Sequence, residues 1–254
     1  MSNTGETRRL TPGRQVLADE TYDVIRTMIL NHEIEPGAHI GIDWLTRELD
    51  VSQTPVREAL ARLESDGLVE KIALRGYKTT RLLTPDQFED LHSFRRLIEP
   101  WCAAEAAKQA SDDEIQLLQE EVALASGNSD ELGHEAWARF REHDARFHGM
   151  IAKLAQNGFV TDVFERAHSH WHTDRLFQAA LKASREADPG SPESEQFAEY
   201  YPPAARKSAI SQHQQIAEAI SHHEDDLARE LMLEHLHDSR QRYREAVKAI
   251  TESA

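Results

Sequence analysis

The chain has 254 residues, 39% hydrophobic and 29% charged, with a formal net charge of −16, a mixture that excludes disordered and fibrous classes. No apolar run approaches the roughly 18 residues a membrane span needs, and the start MSNTGETRRLTPGRQ lacks the hydrophobic core of a signal peptide, so a cytoplasmic protein is expected. The single cysteine, Cys102, has no Cys partner for a disulfide or a zinc cluster, which fits a reducing compartment and a helix-packing role.

The acid is unevenly spread. Residues 1–84 hold eleven Lys and Arg against thirteen Asp and Glu, whereas 85–254 hold eighteen against thirty-two. Only the first part is compatible with approach to a phosphate backbone. Residues 1–13 are polar, carry Arg8 and Arg9, and are expected to form a flexible arm. From Gln15 to His32, Val16, Leu17, Tyr22, Ile25, Met28 and Ile29 recur at helical spacing, and Glu35-Pro36-Gly37 ends that helix. Two short helices are predicted over 43–49 and 54–65, separated by a tight link at 50–53. Gly67 stops the second. The β-prone runs 68–72 and 77–82 flank Leu74-Arg75-Gly76, which reads as a hairpin tip.

Past Thr84-Pro85 no further convincing strand is found. Helices are predicted over 85–109, 112–126, 133–156, 158–184, 205–222 and 225–250, with a non-regular insertion over 186–204 marked by Asp188-Pro189-Gly190 and Pro202-Pro203. The expected fold is therefore mainly α: an N-terminal winged helix-turn-helix (three helices plus a β-hairpin wing) over 14–83, followed by an antiparallel all-helical bundle over 84–250.

In a winged helix-turn-helix the third helix enters the major groove and the hairpin lies along the backbone. Here that helix begins Ser52-Gln53-Thr54-Pro55-Val56-Arg57. Ser52 or Thr54 is placed to cap it, and Pro55 is tolerated in a first turn whose N–H groups are unpaired anyway. Val56, Leu60 and Leu63 form an inward stripe and leave Gln53, Thr54, Arg57 and Arg62 outward. Arg62, Lys71, Lys78 and Arg81 read as solvated charges or phosphate contacts rather than base readers.

Residues 51–82, VSQTPVREALARLESDGLVEKIALRGYKTTRL, closely resemble the signature of the GntR superfamily of bacterial regulators, whose members share this winged fold and bind palindromic operators as dimers. The resemblance implies DNA contacts by Gln53, Thr54 and Arg57, with the wing around Arg75 and Gly76. Position 53 is often Arg in that family, and Asp43 falls where some members carry a DNA-contacting Arg.

A second constellation lies in the helical part. Phe140, Asp144, Phe147, His148 and Ile151 share one stripe of the 133–156 helix; Ile210, His213, Ala217 and Ile220 share a face of the next-to-last, and Leu227, Leu231 and His235 of the last. A carboxylate on an apolar stripe is costly unless paired or metal-bound. His213 and His235 are equidistant from residue 224, so an antiparallel hairpin sets them at one height. Asp144 and His148 stand one turn apart, about 6 Å of rise. One Asp and three His make an oxygen and nitrogen site suited to a divalent metal such as Zn, Ni, Mn or Fe.

This pattern resembles the FCD effector domain that follows the winged helix in the FadR-type branch of the same superfamily, an antiparallel bundle in which an Asp-x3-His pair and two later His often hold a metal beside a small carboxylate. The resemblance spans about 85–250. Phe94-Arg95-Arg96-Leu97-Ile98-Glu99 looks like the opening of that domain's first helix, which implies that Arg95 reaches the effector carboxylate. His168, His170, Trp171, His172 and Arg175 are candidates to line the pocket. His222, His223 and His237 read as turn or surface residues. The resulting expectation is a homodimeric repressor that binds palindromic operator DNA, takes a small carboxylate effector and has no membrane partner.

Two alternatives stay beside it. Glu131-x-x-His134 and Glu165-x-x-His168 imitate the paired motifs of di-iron bundles, which would suit a metal-dependent enzyme. A winged helix and a bundle could also serve a non-DNA assembly protein.

Overall fold

The computed structural model describes residues 12–73, 75–127, 134–188, 191 and 200–252, and the chain divides between Arg81 and Leu82 into two compact units. Most of the arm expected over 1–13, the centre of the insertion over 186–204, Leu74 and Glu131 lie outside the described residues.

In the first unit, helix α1 (Pro12–Leu30) opens on proline, whose fixed φ and missing N–H suit a first helical turn. Its inner face is Ala18, Tyr22, Ile25, Met28 and Ile29, whereas Val16 and Leu17, expected on that face, are exposed. Helix α2 (Ile42–Glu48) buries Leu45, and α3 (Gln53–Ser65) buries Pro55, Val56, Ala59, Leu60 and Leu63. Ser52 holds the N-cap position of α3 but makes no side-chain capping bond, and Thr54 lies inside the helix. The C-terminus is closed by a Schellman motif: Gly67 takes a left-handed φ of 74°, and the Leu68 and Gly67 amides donate to the Leu63 and Glu64 carbonyls.

Strands β1 (His39–Ile40), β2 (Val69–Ile72) and β3 (Gly76–Thr79) form an antiparallel sheet ordered β1-β3-β2. Ile40 pairs with Tyr77, and Val69 with Thr79. The wing therefore has a third strand that was not expected, because two residues carry no readable alternation. Thr79, fully buried, anchors it by accepting from the Ala38 amide and donating to the Glu35 carbonyl. Gly76 takes a left-handed φ of 90°, a conformation in which another residue would be strained.

The second unit has no strand among its described residues and is built of α4 (Pro85–Gln109), α5 (Asp112–Gly127), α6 (His134–Leu154), α7 (Gly158–Arg166), α8 (Ser169–Glu186), α9 (Pro203–Ser221) and α10 (Asp225–Glu252). A capping box between Thr84 and Gln87 starts α4. The stretch expected as one helix over 158–184 is two, because His168 adopts a left-handed φ of 45° with its ring stacked on Trp171. No Gly or Pro announces that break. Helix α4 packs on α6, α9 and α10, and α9 on α5 and α10. The core between them includes Cys102, Phe147, Ile151, Ile216, Ile220, Met232 and Leu236.

The α9–α10 turn decides where the late histidines go. It is a second Schellman motif, with Glu224 donating to Ala219 and His223 to Ile220. Its left-handed residue is His223, φ 59°, whose Nδ1 also lies 2.7 Å from the Ala107 carbonyl oxygen. On α10 the buried stripe is Ala228, Met232, His235, Leu236 and Ser239, while Leu227, expected on it, is exposed. No helix of the described residues is long and apolar enough to cross a membrane.

Leu60 is fully buried and Leu117, on α5, is 57% exposed. Leu60→Ala is expected to lower the stability of the first unit by about 2–5 kcal/mol, and Leu117→Ala to change that of the second by no more than about 0.5 kcal/mol. Urea unfolding read by hydrogen exchange in each unit checks this; equal responses would contradict the assigned packing.

Candidate nucleic-acid interface and candidate metal centre

The amphipathic packing of α3 leaves Gln53, Thr54 and Arg57 exposed on its first two turns. They are not independent. Gln53 Nε2 donates to Asp43 Oδ1 on α2 at 2.9 Å, and Arg57 Nη2 donates to Gln53 Oε1 at 3.2 Å. The Asp43 carboxylate can only accept, so it assigns the nitrogen end of the Gln53 amide. At the wing, Arg75 is exposed and its carbonyl meets the His39 ring, with Gly76 beside it half-buried.

Arg62 has a different occupation. It contacts Asp19 of α1 at 2.5 Å and covers the Tyr22 ring at 4.1 Å, while Tyr22 donates to Asp66. This ties α1 to α3. Lys78 is paired with Glu70 across the hairpin at 3.0 Å.

In the second unit, α6, α9 and α10 bring Asp144, His148, His213 and His235 together, one ligand atom from each lying within 4.8 Å of the others. All three imidazoles are buried, and Asp144 retains 21% side-chain exposure. Asp144 Oδ1 is 3.7 Å from His148 Nε2 and 3.5 Å from His213 Nε2, which is 3.3 Å from His235 Nε2. Donors bonded at about 2.0–2.1 Å around a tetrahedral ion stand roughly 3.3 Å apart. The residues present thus fit a divalent metal in donor type and number, and these separations lie near that spacing.

Each inward nitrogen is supported from behind. His148 Nδ1 lies 2.6 Å from Glu99 Oε2, a close ion-pair contact rather than an aligned hydrogen bond. His235 Nδ1 meets Gln212 Oε1 at 3.0 Å, and Gln212 Nε2 donates to Asp238. His213 Nδ1 meets His143 Nε2 at 2.9 Å, and His143 Nδ1 meets Glu121 Oε1 at 2.8 Å. The second oxygen of Asp144 faces His170 Nδ1 at 3.4 Å.

Arg95 is buried nearly three turns into α4, with Nε 2.5 Å from Glu99 Oε1 and Nη2 3.2 Å from Glu99 Oε2. It is therefore already paired with the carboxylate that supports His148. Glu99 and His143 were not singled out in the sequence. Their signals were an Arg95–Glu99 spacing of four, and a histidine at 143 four residues before Phe147. Of the residues considered as pocket lining, Arg175 is buried and His168, His170, Trp171 and His172 are half-buried. Glu165 is exposed and faces Lys153, outside the cluster that a di-iron arrangement would need it in.

Burial holds His213 and His235 well below the ordinary histidine range, and their imidazole neighbours add to that. Burial also depresses His143. For His148 burial acts in the same direction, but Glu99 and Asp144 outweigh it and push the value up to about 9. Against its own burial, Asp144 is held well below the usual carboxylate range by His148, His170 and His213.

Residues 90–238 match the family profile of the FCD domain, and residues 17–78 that of bacterial regulatory proteins of the gntR family. The Nta operon transcriptional regulator of Aminobacter aminovorans is 31% identical over 130 residues, 51% of this chain and 60% of that protein. An Escherichia coli (strain K12) protein whose name assigns it to regulation of an L-lactate dehydrogenase operon is 27% identical over 242 residues, covering 87% and 83% of the two chains. Among solved structures, E. coli McbR/YncC superposes with a TM-score of 0.68 at 16% identity, covering 90% of this chain and 98% of that one, which shows the shared fold.

At neutral pH His213 and His235 are neutral, whereas His148 keeps its proton until about pH 9. Metal ligation needs the lone pair of each imidazole and displaces that proton. Zinc affinity, measured by chelator competition, is expected to rise from pH 6.5 to 9 and then level. The metal-free fold is expected to show the opposite trend: a histidine raised above its unfolded value of about 6.5 stabilises fully below that pH and loses its contribution as pH climbs through about 9. A flat zinc affinity across this range would contradict the assignment.

Proposed function

Because the chain belongs to the GntR family of bacterial regulatory proteins and carries an FCD domain, we propose that it is a repressor whose operator affinity is set by a small carboxylate bound at a divalent metal. Relatives in this family are named as transcriptional regulators, which are not enzymes, and the metal-dependent enzyme is set aside. The observation that carries the sensing half is the convergence of Asp144, His148, His213 and His235 inside the matched FCD region.

The reading head is assigned to 14–83 and the sensing and dimerisation domain to 84–250. In the head, Gln53, Thr54 and Arg57 face base edges and phosphate, and Arg75 and Gly76 follow the backbone from the wing. A homodimer sets two α3 helices against a palindrome, with half-sites about 34–36 Å apart for one helical turn. In the sensor, Asp144, His148, His213 and His235 hold the ion, which is Zn, Ni, Mn or Fe. When bound, the ion supplies Lewis-acid attraction for a carboxylate oxygen. Arg95 spends only two of its guanidinium N–H donors on Glu99, and the remaining ones are assigned to the effector. The name of the lactate-operon relative supports a small acid of that class. An effector changes operator affinity only by binding the two dimer arrangements unequally.

The test is binding of purified protein to duplexes from the promoters flanking its own gene, across a salt series. Binding should weaken as salt rises, and Arg57→Ala should lower affinity by about 1–3 kcal/mol. Adding small carboxylates should then shift the wild-type isotherm and leave His213→Ala unmoved. An undiminished response in His213→Ala defeats the metal assignment, and absence of binding to any flanking promoter defeats the repressor assignment.

A further inference from the structure

The three histidines of the cluster are supported by three different kinds of group, and the support of His213 has a chain of consequences. Arg146 holds Glu121 through two bonds, Nε to Oε2 at 2.9 Å and Nη2 to Oε1 at 3.0 Å. A carboxylate held by a guanidinium is ionised and can only accept hydrogen bonds. Facing it at 2.8 Å, His143 Nδ1 must be the donor. A neutral imidazole that donates from Nδ1 accepts at Nε2. His143 Nε2 is 2.9 Å from His213 Nδ1, so with His143 neutral the hydrogen there comes from His213, which then carries its lone pair on Nε2. That is the atom directed at Asp144 Oδ1 and His235 Nε2. Reversing any bond in the row would turn an N–H toward the centre of the cluster.

We infer that His143 is a positioning residue that fixes the ligating tautomer of His213, transmitting the orientation set by the Arg146–Glu121 pair on α5 and α6 to the metal-facing side of α9. Among the described residues no other group meets His213 Nδ1. Glu99 lies against His148 and Gln212 against His235. The ring of His143 also fills space, lying 5.9 Å from Phe147 and 6.2 Å from Phe140, centroid to centroid. The test must therefore separate shape from hydrogen bonding.

This inference rests on the metal reading above, and the experiment distinguishes the two. Full-length protein is stripped with chelator and titrated with Co²⁺, following visible d–d absorption and calorimetric affinity. Three variants are compared with wild type. His213→Ala, which removes a ligand, should abolish the wild-type spectrum. His143→Leu fills the same space without an acceptor and should weaken Co²⁺ binding by about 10–100-fold, the range for lost outer-shell partners of metal ligands. His143→Gln places an amide oxygen where Nε2 stands and should recover most of that loss. Glu121→Gln should weaken binding less than His143→Leu, and add nothing in the His143→Leu background, because it acts only through that ring.

Equal losses in His143→Leu and His143→Gln would reduce His143 to packing and overturn the inference. Wild-type affinity in His143→Leu would overturn it as well, as would full additivity of the Glu121 and His143 changes. Unchanged Co²⁺ binding in His213→Ala would instead remove the metal reading itself. Thermal melts of the metal-free forms are recorded alongside; if His143→Leu does not fold, the His143→Gln and Glu121→Gln pair carries the same comparison.

Discussion

A polar donor can stand on an apolar helix stripe only when the groups behind it satisfy it, and that constraint shapes the whole C-terminal unit. Leaving a buried polar group unmatched costs on the order of 1–3 kcal/mol, more for a charge. Three buried histidines and Asp144 would accumulate such costs on α6, α9 and α10. Instead each faces an outer group: Glu99 on α4 for His148, Glu121 by way of His143 for His213, Gln212 on α9 for His235, and His170 on α8 for Asp144. Packing and polarity are therefore specified together. A shift of α4 or α5 along its axis would unmake these contacts as well as the apolar core.

The backbone meets the same constraint at the α9–α10 turn. His223 in a left-handed conformation closes α9, and its ring reaches the Ala107 carbonyl on α4. The hairpin is thus fixed in height against α4, which carries Arg95 and Glu99. His213 and His235 end up level because the turn between them cannot slide.

Much of this was legible in the sequence wherever a pattern repeats. The stripe Phe140, Asp144, Phe147, His148, Ile151 is readable because helical period and burial coincide, and the spacing of His213 and His235 about residue 224 contains the hairpin geometry. Features without a period were not legible. Strand β1 has two residues, too few to alternate. The break at His168 rests on one dihedral that no Gly or Pro signals. Leu227 looks apolar but sits at the rim of α10, where Ala228 takes the inward place. Glu99 and His143 escaped notice because outer partners are defined by what they touch across helices, and charge on a sequence does not say whom it faces. The same applies to the surplus of acid in residues 85–254: several of those carboxylates are spent on internal partners, Glu89 on Arg240 and Asp174 on Arg141 among them.

The bonded trio on the reading head carries its own thermodynamic implication. Gln53 already gives a hydrogen to Asp43 and takes one from Arg57. Any surface that docks there must return, bond for bond, whatever it displaces, since an amide stripped of partners under a tight contact loses more than a good contact supplies. The acid at position 43 also repels phosphate, so loose electrostatic adhesion is weak at this spot. What docks at this spot is therefore selected by the bonds it can exchange with Asp43, Gln53 and Arg57 as well as by its charge.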